Sequence, residues 1–141
     1  EMGDFYSQYF LGKCYEFGNL CEIDYKKAKE WYEYSYKNEC DESLVSLGDL
    51  YMDGKGCKVN YKKAQKLYKL AYEKDADGAM ESYAVCCLFN GDYKVGFELL
   101  NELRDMDNYM VNSFLKLCYE YGIGVEANKE EVLKFENKLK K

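Results

Sequence analysis

The stretch from Leu47 to Tyr72, LGDLYMDGKGCKVNYKKAQKLYKLAY, decides the fold, because the rest of the chain is built of copies of it. One copy precedes it by 36 residues at every matching position. That copy holds Leu11, Gly12, Tyr15, Gly18, Cys21, Ala28, Tyr32 and Tyr36, which match Leu47, Gly48, Tyr51, Gly54, Cys57, Ala64, Tyr68 and Tyr72. A fixed period of this length is typical of repeat proteins, in which each repeat is one supersecondary unit stacked on its neighbour.

The second half of the chain holds two weaker copies. In the last copy, Leu115, Tyr119 and Gly122 lie 68 residues after their counterparts in the stretch above. In the third copy, Tyr93 lies only 32 residues after Tyr61, so four residues are missing from the loop between its helices, where a modular helix pair tolerates a deletion. We therefore predict a single all-α solenoid domain of four helix-turn-helix repeats, approximately residues 4–39, 40–75, 76–106 and 107–141.

Glycine and short polar residues mark the helix ends within the repeats. A glycine ends the first helix, and a residue whose side chain can accept bonds from free backbone N–H groups starts the second. These caps are Asp24, Asn60, Asp92 and Asn128. Glu131, three residues after the last of them, would complete a capping box. The signals predict eight helices, among them Asp4–Phe17, Asp41–Asp53, Gly78–Phe89 and Lys129–Lys141, with a turn at Asn38–Asp41.

The composition indicates a soluble globular protein without a catalytic centre. The 141 residues are 48% hydrophobic and 33% charged, and the longest strongly apolar run, Tyr83–Phe89, is too short to span a bilayer. Because the net charge is −6 and lysines alternate with acids, we expect no nucleic-acid partner. The absence of histidine removes the usual general base and metal ligand, and the adjacent Cys86 and Cys87 would point about 100° apart on a helix. We expect no enzymatic activity, no metal and no cofactor.

The seven cysteines do not form the pattern of a disulfide framework. Six of them occupy positions where other repeats hold apolar or aromatic packing residues, and Cys40 is left in a loop. We therefore expect reduced thiols and a cytoplasmic, reducing location. Since the sequence begins at Glu1, a removed upstream segment would leave secretion open. The mostly polar last helix favours a natural C-terminus, whereas the aromatic first helix favours further repeats before residue 1.

These residues resemble Sel-1-like repeats, a branch of the tetratricopeptide-like α/α solenoids. The family pattern is Leu-Gly-x-x-Tyr, then Gly-x-Gly-Val, then Lys-Ala-x-x-Trp-Tyr. It is carried here by Leu11, Gly12, Tyr15, Lys27, Ala28, Trp31, Tyr32, Leu47, Gly48, Tyr51, Gly54, Gly56, Lys63, Ala64, Tyr68, Gly122, Gly124 and Val125. The sequence departs from it at Ala84 and Lys116, which stand where the first two repeats have glycine. The resemblance implies a right-handed α/α superhelix that acts as a scaffold for other proteins, without selecting a particular process.

An aromatic stripe that the repeat pattern does not require marks a candidate binding surface. In such solenoids the first helix of each repeat lines the concave surface, and the residues one before, two after and six after its leucine position share one face. These residues are Phe10, Lys13, Phe17, Ser46, Asp49, Asp53, Ser82, Val85, Phe89, Phe114, Leu117 and Tyr121. Exposed aromatics there would anchor a peptide or a helix, unless they pack against neighbouring repeats instead.

The middle of the stripe is acidic, with Asp49 and Asp53 beside Met52 and Glu42. An acidic patch between apolar ends suits a partner that carries Lys or Arg among hydrophobic residues. The alternative is that these acids lie on an ordinary solvent-exposed helix face. The sequence thus favours a non-catalytic adaptor that binds a protein or peptide in the concave groove. The alternatives are a structural segment that self-associates through its apolar first helix, and a secreted effector or toxin-neutralising inhibitor.

Overall fold

The computed structural model describes residues 2–37 and 40–140, and this part of the chain contains eight α helices and no strand. The helices are α1 Met2–Phe17, α2 Tyr25–Lys37, α3 Glu42–Asp53, α4 Tyr61–Glu73, α5 Ala79–Phe89, α6 Tyr93–Glu102, α7 Tyr109–Tyr121 and α8 Lys129–Leu139. We call α1, α3, α5 and α7 the A helices and the others the B helices. The predicted all-α fold of eight helices is confirmed.

The observed helix ends differ slightly from the predicted ones. Helix α1 begins at Met2 rather than Asp4, and α8 ends at Leu139. Residues 38 and 39 of the predicted turn, and residue 141 of the predicted last helix, lie outside the described residues. A one-turn 3-10 helix, Arg104–Met106, precedes α7 and was not predicted. Asn108 caps α7 by accepting a bond from the N–H of Val111 at 3.2 Å, a cap that the sequence analysis missed.

The chain divides into two compact units, Glu1–Ala79 (unit 1) and Met80–Lys141 (unit 2). In unit 1, Ala28 and Tyr32 of α2 pack against Leu47 and Leu50 of α3 in one buried cluster. In unit 2, the buried Phe135 of α8 stacks on Tyr119, with ring centroids 6.1 Å apart. The prediction that all 141 residues form one solenoid domain stays a prediction.

The Leu-Gly pair of each well-conserved repeat copy lets a tyrosine of the B helix approach the A helix. A Cβ added at Gly12 would lie 2.6 Å from the ring of Tyr32, and one at Gly48 would lie 2.5 Å from the ring of Tyr68. Such distances are far shorter than any carbon–carbon contact in a packed core. The glycine is therefore required by the tyrosine that stands opposite it.

Unit 2 replaces both members of this glycine–tyrosine pair. In the third repeat Ala84 takes the glycine position, and the smaller Leu100 takes the tyrosine position; both are buried. In the fourth repeat the pair becomes Lys116 and Glu136, whose Nζ and Oε1 atoms lie 3.6 Å apart. The two departures from the family pattern are thus each matched by a change on the facing helix.

The second glycine of the Gly-x-Gly turn brings each turn against the preceding B helix. Gly54 caps α3 in the left-handed conformation, at φ +66°, as predicted. Gly56, at φ +75°, sits so close to the start of α2 that an added Cβ would lie 2.7 Å from the carbonyl oxygen of Tyr25. The first repeat has Leu20 at the equivalent position, fully exposed and with φ +66°.

Three of the four predicted B-helix caps are confirmed. Asp24, Asn60 and Asn128 each accept bonds from backbone N–H groups of the next turn, at 3.0 to 3.2 Å. Asp92 makes no side-chain cap bond, and its own N–H donates to the carbonyl of Cys87 across the shortened loop.

The predicted capping box at α8 is wrong. The Glu131 carboxylate accepts instead from Nη2 of Arg104 at 2.9 Å, in the unpredicted 3-10 helix. The N–H of Asn128, which the box would have used, donates to the carbonyl of Tyr119 at 2.9 Å. A long-range ion pair has therefore taken the place of the local bond.

None of the seven cysteines forms a disulfide, and one of them is placed differently from the prediction. Cys40 lies in the loop between α2 and α3, as predicted, where it is buried and its Sγ donates to Glu42. Cys21, expected to pack inside, is exposed in the turn after α1. Burial raises the pKa of Cys86 to about 12 and that of Cys118 to about 11, so these thiols are inert near neutral pH.

Within the described ranges, no helix combines the length and apolar character needed to cross a membrane.

Candidate functional site

The predicted stripe residues of α1 form an exposed aromatic surface held by one lysine. Phe10 and Phe17 are 59% and 57% exposed. The Nζ of Lys13 lies 5.5 Å from the ring centroid of Phe17 and 5.2 Å from that of Tyr9, so the ammonium bridges two rings of its own helix. Phe10 and Phe17 are open to contact, and Lys13 restrains the orientation of the Phe17 ring.

The acidic residues of α3 differ from one another in their availability. Asp53 is exposed and Met52 is half-buried. The carboxylate of Asp49 accepts a hydrogen bond from the Tyr68 hydroxyl at 2.5 Å, so one of its oxygens is already engaged by α4. Of the two predicted acidic contacts, Asp53 is therefore the one most open to a partner.

The pKa of Asp49 is raised to about 6. Burial is the largest cause, because it disfavours the charged form, and the nearby charges of Glu16 and Asp53 act in the same direction. The Tyr68 hydrogen bond and the charge of Lys13 oppose the shift. Residues of α1 and α3 thus share one electrostatic environment, and Asp49 gains a proton only slightly below neutral pH.

One acid of the predicted patch, Glu42, lies far from Asp53, and an acid that was not predicted, Glu16, acts on Asp49. Glu42 lies at the start of α3, about 16 Å along the helix from Asp53 at 1.5 Å per residue, and accepts from the Tyr6 hydroxyl at 3.4 Å. Glu16 of α1 belongs to the patch and also accepts from the Tyr32 hydroxyl. Its position three residues after Lys13, on the same helix face, was the available signal.

In unit 2 the structure brings together three of the five apolar residues of the predicted stripe. Phe89 of α5 and Phe114 and Leu117 of α7 line an apolar groove of about 190 Å³, which we call the unit 2 groove. Its remaining lining residues are Leu88, Tyr93, Cys118 and Ile123. Val85 is half-buried and Tyr121 is 69% exposed, and neither lines this groove.

Four lining residues of the unit 2 groove were not predicted as site residues, among them Tyr93 and Ile123. Tyr93 stands at the start of α6, directly after the shortened loop, and Ile123 lies between the two glycines of the last turn. An apolar residue between two turn glycines was the signal in the sequence that could have indicated Ile123. The loop deletion in the third repeat thus coincides with the side of unit 2 that carries the groove.

The comparisons with known proteins agree with this architecture. The family model of the Sel1 repeat matches residues 5–39, 41–75 and 115–131, together more than half of the chain. The chain belongs to the Sel1 repeat family. Repeats of this family generally mediate protein–protein interaction. The unmatched stretch between residues 75 and 115 contains the shortened loop and Ala84, where the chain departs from the family pattern.

Two solved structures show the same solenoid fold. One is a protective antigen of uropathogenic Escherichia coli strains that displays a Sel-1-like repeat fold, with a TM-score of 0.81, 26% identity, and coverage of 99% of this chain and 31% of its own. The other is a Sel1 repeat protein from Oxalobacter formigenes, with a TM-score of 0.70, 20% identity, and coverage of 93% of this chain and 56% of its own.

This chain thus spans about a third of the length of the first structure and just over half of the second. Among proteins of curated function there is no significant match. The α/α solenoid fold expected from the resemblance is confirmed, whereas a concave groove that runs across all four repeats stays a prediction.

Proposed function

We propose that this Sel1 repeat protein is a non-catalytic scaffold that holds an apolar segment of a partner protein on its A helices. The observation that carries the proposal is the unit 2 groove. Phe89 and Leu117, from two different A helices, are 53% and 41% exposed and line the same cavity. Large apolar side chains that converge on one cavity mark an interaction site, whereas singly scattered ones need no explanation.

The size of the unit 2 groove suits one large side chain of the partner. A volume of about 190 Å³ lies below the range of about 300 to 1,000 Å³ that is typical of small-molecule pockets, so the groove suits a single large apolar side chain such as Leu, Phe or Trp. Burying such a group stabilises a complex by about 1.5 to 3 kcal/mol, which is the scale of an interface hot spot. We therefore expect the partner to insert an aliphatic or aromatic anchor from a helix or an extended peptide.

Unit 1 offers a second contact surface of different chemistry. The exposed Phe10 and Phe17 supply apolar area, and Asp53 supplies a negative charge that is open to solvent. A partner segment with Lys or Arg beside apolar residues would complement this surface. Lys13, which stands over the Phe17 ring, would be displaced or would pair with an acid of the partner.

A crosslinking pull-down from the source cell tests the proposal, with the full chain as bait. Phe89→Ala removes a wall of the unit 2 groove, and Phe17→Ala removes an exposed ring of α1. Tyr109→Ala is the matched control, because Tyr109 is 72% exposed on α7 and does not line the groove. We expect a partner that is retained by wild type and Tyr109→Ala and is lost or reduced with Phe89→Ala.

Retention of the partner by Phe89→Ala would place the interface elsewhere, and the role of Phe17 would then be read from its own variant. If no partner is captured, size-exclusion chromatography with light scattering decides the self-association alternative, for which the aromatic α1 would be the interface. A secreted effector or toxin-neutralising inhibitor would use the same contacts and differ in its target. The reducing location stays a prediction.

A further inference from the structure

The charges of unit 1 are separated between its A and B helices. Helices α1 and α3 together carry five acidic residues and one lysine, a net charge of −4. Helices α2 and α4 carry eight lysines and three acidic residues, a net charge of +5. The acidic A helices and the basic B helices alternate along the chain. Their charges are therefore separated in space only when the A and B helices pack together. A protein of net charge −6 thus carries a local basic surface.

A groove lies within this basic surface, between α2 and α4 and above α3. We call it the Tyr51 groove; it has a volume of about 330 Å³. It is lined by Lys29, Glu33, Tyr36, Lys37, Leu47, Tyr51, Lys63 and Leu67. Three lysines thus stand around an aromatic and aliphatic floor, with a single acid among them.

The ring of Tyr51 holds two of these lysines in place. The Nζ atoms of Lys29 and Lys63 lie 5.6 Å and 5.2 Å from its ring centroid, one from each flanking B helix. The one acid, Glu33, pairs with Lys29 at 2.5 Å and so restrains that ammonium further. Two ammonium groups pre-positioned over an aromatic ring leave less side-chain entropy to be lost on binding an anion.

The basic surface continues along α4 beyond the Tyr51 groove. Lys63 and Leu67 also line a second cavity of about 490 Å³, with Asn60, Lys62, Lys66 and Leu70. Among the described residues, neither Lys62 nor Lys66 takes part in an ion pair. The two cavities therefore form a continuous surface in which lysine amines alternate with apolar side chains, and an extended peptide can lie along it.

We propose that the Tyr51 groove binds an acidic peptide segment of a partner protein, in which Asp or Glu residues alternate with apolar ones. The carboxylates contact Lys63, Lys37 and Lys29, and the apolar side chain between them packs on Tyr51 and Leu67. A nucleic-acid backbone would gain from the lysines but would leave the Leu47 and Leu67 floor unused, whereas the apolar residues of the peptide would cover that floor. The proposal does not depend on the unit 2 groove, because the residues that carry it all belong to unit 1.

Fluorescence anisotropy on the full chain tests the Tyr51 groove directly. The probe is a fluorescein-labelled nine-residue peptide of alternating Glu and Leu, and its comparison peptide has Gln in place of every Glu. The double variant Lys29→Gln/Lys63→Gln removes the two ammonium groups over Tyr51. The control Lys26→Gln/Lys69→Gln makes the same charge change on the same two helices at exposed positions outside the groove.

We expect the Glu peptide to bind wild type, to bind the groove variant about tenfold more weakly, and to bind the control within about twofold of wild type, on the scale of two exposed charge contacts. The affinity should fall as salt rises from 50 to 300 mM. Circular dichroism spectra of all three proteins check that each is folded.

Several results would overturn the proposal. Equal losses in the two double variants would show that net charge alone attracts the peptide. Equal binding of the Gln peptide would remove the role of the carboxylates. If a duplex DNA 20-mer or phosphatidylserine vesicles bind more tightly than the Glu peptide, the basic surface would be assigned to nucleic acid or to membrane. If the molar mass of the protein in light scattering rises with protein concentration, the surface would be assigned to a second copy of the chain.

Discussion

Gly56→Ala should destabilise the chain by about 3 kcal/mol, through two effects that add. The φ of +75° costs an alanine about 1 to 2 kcal/mol, because its Cβ approaches the backbone in the left-handed region. The added Cβ would also lie 2.7 Å from the Tyr25 carbonyl oxygen and 3.0 Å from the Lys26 nitrogen. Both are backbone atoms at the start of α2, so neither can rotate away, and overpacking of this kind costs about 1 to 3 kcal/mol.

Gly78→Ala separates these two effects. Gly78 has φ +76°, nearly the same as Gly56, but a Cβ added there meets nothing within 4 Å. Gly78→Ala should therefore cost only the conformational term of about 1 to 2 kcal/mol, so the overpacking term is the difference between the two variants. Urea unfolding followed by circular dichroism measures both variants, and we expect the midpoint of Gly56→Ala to lie about 1 M below that of Gly78→Ala at a slope of about 2 kcal/mol per M.

Equal midpoints for the two alanine variants would refute the reasoning, because they would show that the turn of the second repeat does not bear on α2. A change in slope for either variant would instead report a change in the unfolded or native state, and only variants of unchanged slope are compared.

Three further predictions concern single side chains. Asp49→Asn should stabilise the chain at pH 7.5 by about 1 kcal/mol, after discounting a half-buried group for solvent screening. Because the folded-state pKa of Asp49, about 6, exceeds the unfolded value, wild type gains stability from Asp49 as the pH falls from 7 toward 4, and the variant does not. The same difference in urea midpoint between wild type and Asp49→Asn at pH 4.5 and at pH 7.5 would contradict this. Asn128→Ala should cost about 1 kcal/mol through the loss of two cap bonds, whereas Asn137→Ala, exposed inside the same helix, should be neutral or slightly stabilising in thermal unfolding; similar losses would argue against the cap. Iodoacetamide at pH 8 should label the exposed Cys21 in the native protein and Cys86 only after unfolding, as read by mass spectrometry, and equal labelling rates would disprove the burial of Cys86.

The repeat period and the cap residues predicted the helices well because both signals are local. Apolar spacing defines the buried face of each helix, and a glycine or an Asn ends or starts it through bonds within one turn. The wrong capping box shows the limit of this reasoning. Glu131 had the right spacing from Asn128, but Arg104, 27 residues away in the chain, offered a charged partner in place of a backbone N–H.

The candidate site was predicted only in part. Helical spacing correctly grouped Phe89 with Val85 on one face of α5, yet only Phe89 lines the unit 2 groove. Which of two residues on one face reaches a cavity depends on the helix packed beside it, and here that helix supplies Phe114 and Leu117. The same reason explains why Glu16 was missed, since its partner Tyr32 stands on the facing helix.

The sequence by itself determined the repeat, the all-α class, the glycines that turn the chain and the family to which it belongs, because each of these leaves a mark at a constant spacing. Only the tertiary structure decided how departures from the pattern are accommodated and where charge collects. Lys116 in place of a glycine is understood once Glu136 is seen opposite it, and the basic Tyr51 groove exists because two lysine-bearing helices flank the same tyrosine. Packing energies and fields depend on distances in space between residues that the chain keeps far apart, so no spacing along the sequence records them.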